Sequence, residues 1–236
     1  MKIGIISDIH GNIFSFKEIY RQLISEACDM HLFLGDVCGY YYHQIEVIDL
    51  LLTLPRLESI AGNHDRMFLR SMKNEELLRE YTERFGLSFS NLKETVTPKH
   101  LKFIQDLPRE FHLETQNGII AGFHGSPWNP IEEYVYPDSS LERFSNIPYD
   151  VVFLGHTHRP MDRTVGKTRI INPGSAGQPR DGGWPSYGIY HVETGQLEIK
   201  RVPYDVKALE NEIIGRDDDN AYLVDVIYRI QGESES

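Results

Sequence analysis

The sequence predicts an α/β fold of two sheets with helices packed outside them. Three observations indicate this fold. Short apolar runs alternate with helical patterns over residues 2–61, strand patterns dominate from residue 110 onward, and no linker separates the two parts. We therefore assign all 236 residues to a single domain, 1–236, and expect the polar tail 231–236 to be disordered.

The first part of the chain has the pattern of parallel βαβ units. Each predicted strand is a short apolar run, and each predicted helix has apolar residues at helical spacing. Asn12 can cap the first helix, because its side chain can accept a hydrogen bond from a free backbone N–H. The elements are strand Lys2–Ser7, helix 13–26, strand His31–Leu34, helix Ile45–Leu54 and strand Leu57–Ala61.

The pattern changes after the third strand. Residues 65–107 are predicted to be helical, with Gly86 as a C-cap and Pro98 at the first position of a helix. Asn117-Gly118 is a hairpin turn signal. The later elements are strands Phe111–Thr115, Ile119–Phe123, Val151–Leu154, Tyr187–Val192 and Leu197–Val202, and a helix over 205–214. Ala221–Ile230 is compatible with either helix or strand.

The amino-acid composition limits the classes of function that the protein can have. The 24 Lys and Arg against 35 Asp and Glu give a net charge of -11, which repels nucleic acid, and the sequence has no run of basic residues. A small phosphorylated substrate remains possible, because a metal site can reverse the local field. Two cysteines and an apolar run of only Ile3–Ile6 predict a cytoplasmic protein without a signal peptide or membrane span. The oligomeric state stays open between monomer and homodimer.

Polar, metal-capable side chains follow five predicted strands, directly where each strand ends. Open α/β sheets place ligand sites at the carboxyl ends of their strands, so these side chains are expected to converge. In extended backbone, residues two apart point the same way, so the two members of an Asp-x-His or His-x-His pair can reach one ion. The residues are Asp8 and His10, Asp36, Asn63 and His64, His124, and His156 and His158.

Together these motifs resemble the calcineurin-like metallophosphoesterases, and the segments Gly35–Tyr41 and Asn172–Gly182 resemble a small bacterial and archaeal phosphodiesterase-like branch of them. The matching segments are Asp8-Ile9-His10-Gly11-Asn12, Gly35-Asp36, Gly62-Asn63-His64-Asp65, His124-Gly125 and Gly155-His156-Thr157-His158. The resemblance implies a four-layer α/β/β/α sandwich of two mixed sheets flanked by helices. The chain lacks the Asp-Arg-Gly that follows Gly-Asp in protein serine/threonine phosphatases, which argues against a phosphoprotein substrate.

The resemblance also implies a ligand set for two divalent transition-metal ions. Asp8, His10, Asp36 and His158 are expected at one ion, and Asp36, Asn63, His124 and His156 at the other. Manganese or iron is favoured, with zinc, cobalt or nickel possible. A hydroxide bridging the ions would attack phosphorus, and His64, with an ordinary pKa of about 6.5, would protonate the leaving oxygen as general acid. Asp65 could orient the ring of His64.

The substrate is the aspect of function that the sequence determines least. We expect Asn12, Tyr40 and Arg180 to contact it, although Tyr40–Tyr42 could equally be packing residues and Arg180 a solvated loop arginine. Loops around 38–44, 66–75 and 126–138 are expected to set specificity. A dinucleoside polyphosphate such as diadenosine tetraphosphate is the leading specific hypothesis. The alternatives are a general phosphodiesterase or phosphomonoesterase, a nuclease, and a metal-binding scaffold without catalysis.

Overall fold

The computed structural model describes residues 1–216 and 220–229. The predicted tail 231–236 lies outside these residues, and the assignment of one domain to 1–236 stays a prediction. The elements of the first half are β1 (Lys2–Ile6), α1 (Ile13–Glu26), β2 (Met30–Phe33), α2 (Gln44–Leu51), β3 (Leu57–Ser59), α3 (Asn63–Ser71), α4 (Glu75–Phe85), α5 (Ser88–Thr95) and α6 (Pro98–Asp106). Those of the second half are β4 (Glu110–Thr115), β5 (Gly118–Phe123), a 3-10 helix (Glu142–Asn146), β6 (Val151–Leu154), β7 (Met161–Val165), β8 (Thr168–Asn172), β9 (Ser186–His191), β10 (Leu197–Arg201), α7 (Val206–Arg216) and α8 (Ala221–Ile227).

The strands form two mixed five-stranded sheets, as predicted. The first has the order β10-β9-β1-β2-β3, and the second β4-β5-β6-β8-β7. Strands β1, β2 and β3 are parallel, with Ile3 opposite Met30, and the hairpin β9–β10 joins antiparallel beside β1. In the second sheet β5, β6 and β8 are parallel. The carboxyl ends of the two parallel sets can therefore meet at one end of the molecule.

The two sheets pack face to face, with helices on the outer face of the first. Ile5 of β1 and Leu32 of β2 pack with Phe153 of β6 between the sheets, whereas Ile6 and Phe33 face the helices. These central strands are buried on both faces, which explains their unbroken apolar sequences. The outer face of the second sheet is covered by the 3-10 helix and the loop before it, through a smaller apolar cluster.

Two elements differ from the sequence analysis. The hairpin β7–β8 was not predicted, because β7 lies at the sheet edge and carries the exposed residues Asp162–Thr164, so it has no apolar run. The ambiguous segment near the C-terminus is the helix α8, capped by Asn220. In the part of the chain that the structure describes, no helix is long and apolar enough to cross a bilayer.

Candidate metal centre

The predicted ligands meet where the two sheets face each other at the carboxyl ends of β1, β2, β3, β5 and β6. Backbone hydrogen bonds join the loops that carry them. The N–H of Asp8 donates to Gly35 O at 3.0 Å, and that of Gly155 to His124 O at 3.0 Å. The N–H of His156 donates to Asp8 Oδ2 at 3.1 Å, which connects the two sheets through a predicted ligand.

Six predicted ligands form two compact groups. One consists of Asp8, His10 and His158, and the other of Asp36, His124 and His156. Within each group, one ligand atom of every residue lies within 4.8 Å of the others. All six residues are buried.

Asp36 lies between the two groups. Its Oδ2 is 3.7 Å from His10 Nε2 and 3.3 Å from His124 Nε2. Asn63 Oδ1 is 3.1 Å from His124 Nε2, which places this amide with the second group. The structure thus brings these seven residues together in two adjoining groups, with Asp36 between them.

In Asp8 and Asp36, one carboxylate oxygen accepts hydrogen bonds and the other has no hydrogen-bond partner among the described residues. Asp8 Oδ2 accepts from Ser7 Oγ and the His156 N–H, and Asp36 Oδ1 accepts from the His64 N–H at 2.8 Å. Asp8 Oδ1 and Asp36 Oδ2 are buried with no hydrogen-bond partner among the described residues. A buried bare oxygen is costly unless a cation satisfies it. These two oxygens therefore fit metal ions.

Backbone carbonyls orient three of the imidazole rings. The Nδ1 atoms of His10, His124 and His158 lie 2.8, 2.7 and 2.6 Å from carbonyl oxygens of Cys38, Leu34 and Gln178. A carbonyl can only accept, so Nδ1 carries a proton and Nε2 is left to face the site.

The facing nitrogens of His10 and His158 lie 3.1 Å apart. Two lone pairs at this distance repel each other unless a cation lies between them. Burial lowers the pKa of both rings, which disfavours a proton in that place. The pair is therefore suited to a shared metal ion.

The ligand loops also store backbone strain. Five predicted ligands have positive φ, in the left-handed region that residues other than glycine rarely adopt. This conformation costs about 1–2 kcal/mol per residue. The angles are 54° for Asp8, 52° for His10, 62° for Asp36, 67° for His156 and 57° for His158. Strain concentrated in this way is typical of functional sites.

Comparisons with known proteins agree with this geometry. The sequence profile of the calcineurin-like phosphoesterase superfamily domain matches residues 1–195. The chain belongs to the calcineurin-like phosphoesterase superfamily. An uncharacterised protein of Methanocaldococcus jannaschii is 30% identical over 90% of this chain and 91% of its own.

Solved structures of similar proteins cover almost the whole chain. A hypothetical protein from Pyrococcus horikoshii superimposes with a TM-score of 0.84 at 20% identity, covering 98% of this chain and 99% of that one. A metallophosphoesterase from Sphaerobacter thermophilus has a TM-score of 0.77 at 26% identity, covering 96% and 98%. Membership of the superfamily, with both groups of metal-capable residues present, makes this chain a metal-dependent phosphoester hydrolase.

In this phosphoesterase, Asp65 has a different position from the one expected. Its carboxylate does not hold the ring of His64. Instead it accepts three backbone N–H groups, from Asp36 at 2.9 Å, Gly62 at 2.9 Å and Cys38 at 3.0 Å. Asp65 thus fixes the loop of Asp36 against the start of α3, a positioning role that our sequence analysis did not assign to it.

His64 lies above the metal-capable groups, at the floor of a cleft. Its ring is 5.0 Å from that of Tyr40 and 4.9 Å from that of Phe85, and its buried Nδ1 has no hydrogen-bond partner among the described residues. Burial, aided by the neighbouring His158, lowers the pKa of His64 well below its usual value. The expectation of an ordinary pKa was therefore wrong, and the ring is neutral near pH 7.

The cleft above His64 has a volume of about 550 Å³ and is lined by aromatic rings and arginines. Its aromatic residues are Tyr40, Phe85, Tyr134 and Tyr222, and its arginines are Arg84, Arg180 and Arg229. The structure thus places Tyr40 and Arg180 here, as predicted. Arg180 Nη2 donates to Tyr40 Oη at 2.9 Å. The other two tyrosines of the run are packing residues, since Tyr41 and Tyr42 are buried in the apolar core.

The loop between β5 and β6 contributes two cleft residues that sequence reasoning did not single out. Tyr134 stacks on the ring of His156, with 3.7 Å between centroids, and Glu132 O is 3.3 Å from His156 Nε2. That carbonyl leaves Nδ1 of His156 to face the second metal-capable group. Burial lowers the pKa of His156 to about 3.

Asn12 does not reach this cleft, so its expected substrate contact is corrected. It is fully buried. Its Oδ1 accepts from the Ser15 N–H at 3.1 Å, which confirms the helix cap, and its Nδ2 donates to Gly177 O at 2.8 Å. Asn12 therefore joins two loops of the site and has a structural role.

Proposed function

We propose that this protein hydrolyses a phosphate ester or phosphoanhydride bond of a small, nucleotide-like substrate, with a dinucleoside polyphosphate such as diadenosine tetraphosphate as the leading candidate. One observation carries the hydrolytic part of the proposal. Asp8 and Asp36 each have a buried oxygen without a hydrogen-bond partner among the described residues, and with the facing ring nitrogens these oxygens form two adjoining donor sets next to Asn63, which lines the cleft.

The proposed ligands are those predicted from the sequence. Asp8, His10 and His158 would hold one ion, Asn63, His124 and His156 would hold the other, and Asp36 would contact both. Imidazole, carboxylate and amide donors suit manganese or iron, with zinc, cobalt and nickel as further possibilities. Two such ions supply Lewis acidity at phosphoryl oxygens and lower the pKa of a water molecule that serves as nucleophile.

His64 is proposed as the group that protonates the leaving oxygen. It is held beside the donor sets by its backbone N–H, which donates to Asp36 Oδ1. Its ring lies in the cleft lining. Because its pKa is low in the structure, it needs the negative charge of a bound phosphate to acquire its proton. Protonation of His64 and substrate binding are therefore coupled.

Arg180 and Tyr40 are proposed to hold the phosphate. The guanidinium of Arg180 forms no ion pair among the described residues, and its hydrogen bond to Tyr40 Oη fixes its direction. A planar guanidinium held in this way can donate two parallel hydrogen bonds to phosphate oxygens.

The aromatic lining supports a nucleotide as the attached group. Tyr134 and Tyr222 line the cleft and are 47% and 41% exposed, although His156 and Tyr136 both stack on the ring of Tyr134. Stacking of a base on such a ring is worth about 1–3 kcal/mol and tolerates any base. A cytoplasmic location is part of the proposal, supported by two buried free thiols, Cys28 and Cys38, which fit a reducing compartment.

The test is hydrolysis of bis-p-nitrophenyl phosphate and p-nitrophenyl phosphate by the purified protein with added manganese, beside Asp36→Asn as the matched inactive variant. We expect activity in the wild type and none in the variant. A screen of nucleotides, cyclic nucleotides, dinucleoside polyphosphates and sugar phosphates then identifies the substrate. No turnover of any phosphoester with manganese, iron, zinc, cobalt or nickel would overturn the proposal and favour a metal-binding scaffold.

A further inference from the structure

A second cleft adjoins the active-site cleft, and we call it the distal cleft. It has a volume of about 630 Å³ and is lined by Arg66, Leu69, Arg70, Lys73, Arg109, Ile131 and Glu132. Glu132 lines both clefts. Four cationic side chains against one carboxylate make the distal cleft positive in a protein with a net charge of -11.

Helix α3 connects the two clefts. Asn63, His64 and Met67 line the active-site cleft, while Arg66, Arg70 and the following Lys73 line the distal cleft. Residues four apart lie on one helix face, so these are two neighbouring faces of the same helix. Asn63 and Arg70 are separated by roughly 10 Å along the axis, the length of a short phosphate chain.

Among the residues that the structure describes, the cations of the distal cleft form no ion pairs. Twelve of the 24 Lys and Arg form ion pairs with described acidic residues, and the other twelve form none with them. Seven of those twelve line the two adjoining clefts: Arg66, Arg70, Lys73, Arg84, Arg109, Arg180 and Arg229. Unpaired positive charge is thus concentrated on one path across an acidic surface.

Two features prepare the distal cleft for a phosphate. Arg66 Nη2 donates to Leu107 O at 2.7 Å, which fixes one guanidinium, whereas Arg70, Lys73 and Arg109 are exposed and free to turn toward a ligand. The apolar surface of Leu69 and Ile131 between these cations can contact a sugar or a base.

We propose that the distal cleft binds the second, phosphate-bearing half of an extended substrate whose scissile phosphate lies at the metal centre. This inference rests on the proposed function and deepens it, because it selects substrates that carry phosphate on both sides of the cleaved bond. Guanidinium groups recognise such phosphates through paired hydrogen bonds.

The experiment measures binding to the metal-loaded full chain by calorimetry. The ligands are a methylene-bridged, hydrolysis-resistant analogue of diadenosine tetraphosphate, and AMP as the short ligand. Arg70→Glu and Arg109→Glu reverse exposed charges on two different elements. Arg79→Glu is the matched control, because Arg79 is an exposed arginine of α4 that forms no ion pair with any described residue and lines neither cleft.

We expect the wild type to bind the analogue more tightly than AMP. Each distal-cleft variant should lose at least about tenfold in affinity for the analogue and less than twofold for AMP, while Arg79→Glu changes neither. Equal losses for both ligands, unchanged affinities in both distal-cleft variants, or a wild type without preference for the analogue would each overturn the assignment. Tighter binding of a single-stranded oligonucleotide, lost in the same variants, would give the cleft to nucleic acid and also overturn it.

The two proposals fail separately. Hydrolysis of bis-p-nitrophenyl phosphate tests the metal centre and does not involve the distal cleft. If the protein binds the analogue through Arg70 but hydrolyses no ester, the distal-cleft proposal stands and the proposed function fails. If the protein hydrolyses esters but Arg70→Glu weakens binding of the analogue no more than binding of AMP, the proposed function stands and the distal-cleft proposal fails.

Discussion

Replacing Asp65 by Asn tests how the metal centre is held in place. The carboxylate accepts the N–H groups of Gly62 and Asp36 on Oδ2 and that of Cys38 on Oδ1. An asparagine can keep its carbonyl oxygen toward the first two donors. Its amide group must then face the Cys38 N–H, so two donors point at each other in a buried place.

The expected loss of stability follows from that count. One buried donor loses its acceptor, at about 1–3 kcal/mol, and two hydrogen bonds lose the charge that made them stronger. Together we expect a loss of about 2–4 kcal/mol in the free energy of unfolding. For a chain of this size that lowers Tm by roughly 5–15 °C.

The rate of hydrolysis should fall by more than the loss of stability alone would cause. The N–H of Asp36 is bonded to Asp65, and Asp36 is the proposed bridge between two ions, so a shift of its loop misplaces both. A displacement of about 1 Å at such a position can cost about 100-fold in rate.

The assays are thermal unfolding and kcat for bis-p-nitrophenyl phosphate at saturating manganese. Asp138→Asn, an exposed aspartate with no hydrogen-bonded partner among the described residues, is the matched control and should change neither. A Tm within about 1 °C of the wild type, together with an unchanged kcat, would refute the assigned role of Asp65.

His64→Ala should reduce hydrolysis of esters with poor leaving groups much more than that of p-nitrophenyl esters, whose leaving group needs little protonation; equal losses on both would remove the general-acid role. Burial opposes a charge on His124, but Asp36 raises the pKa of His124 to about 10, so in the metal-free protein its protonated state is favoured at pH 8 and lost above about pH 10. Metal binding at pH 8 should therefore release at least one proton per chain, from His124 and from the metal-bound water, measured by calorimetry in two buffers of different ionisation enthalpy, and no release at pH 8 would contradict the assignment. Gly62→Ala should abolish activity, because its Cβ would lie 2.0 Å from Asp36 Oδ1; a variant with wild-type kcat would show that the loop can move.

The convergence of metal-capable side chains could be predicted because they follow strand ends, whereas their assignment to two ions came from the resemblance to the metallophosphoesterases. Asp8, Asp36 and His124 each come a few residues after an apolar run, and the carboxyl ends of parallel strands meet. The helix cap at Asn12 was also predictable from the local sequence. The burial of Asn12 between two loops was not. Local signals identify what a residue can do, and the tertiary fold decides what it is used for.

The walls of the two clefts could not be predicted in this way. Arg84 and Arg229 come from α4 and α8, and their positions depend on how those helices pack. Nucleic acid was argued against from the net charge of -11 and the absence of a basic cluster in the sequence, and that prediction stands untested. The positive cleft was not visible in the sequence, because Arg66 and Arg109, which both line it, are 43 residues apart.

The most direct test of the central claim is anomalous diffraction from crystals of the protein grown with manganese. The account predicts two peaks about 3.5–4 Å apart, one beside Asp8, His10 and His158 and the other beside His124 and His156, with Asp36 in contact with both. A single peak, or peaks that leave Asp36 without a metal contact, would contradict it.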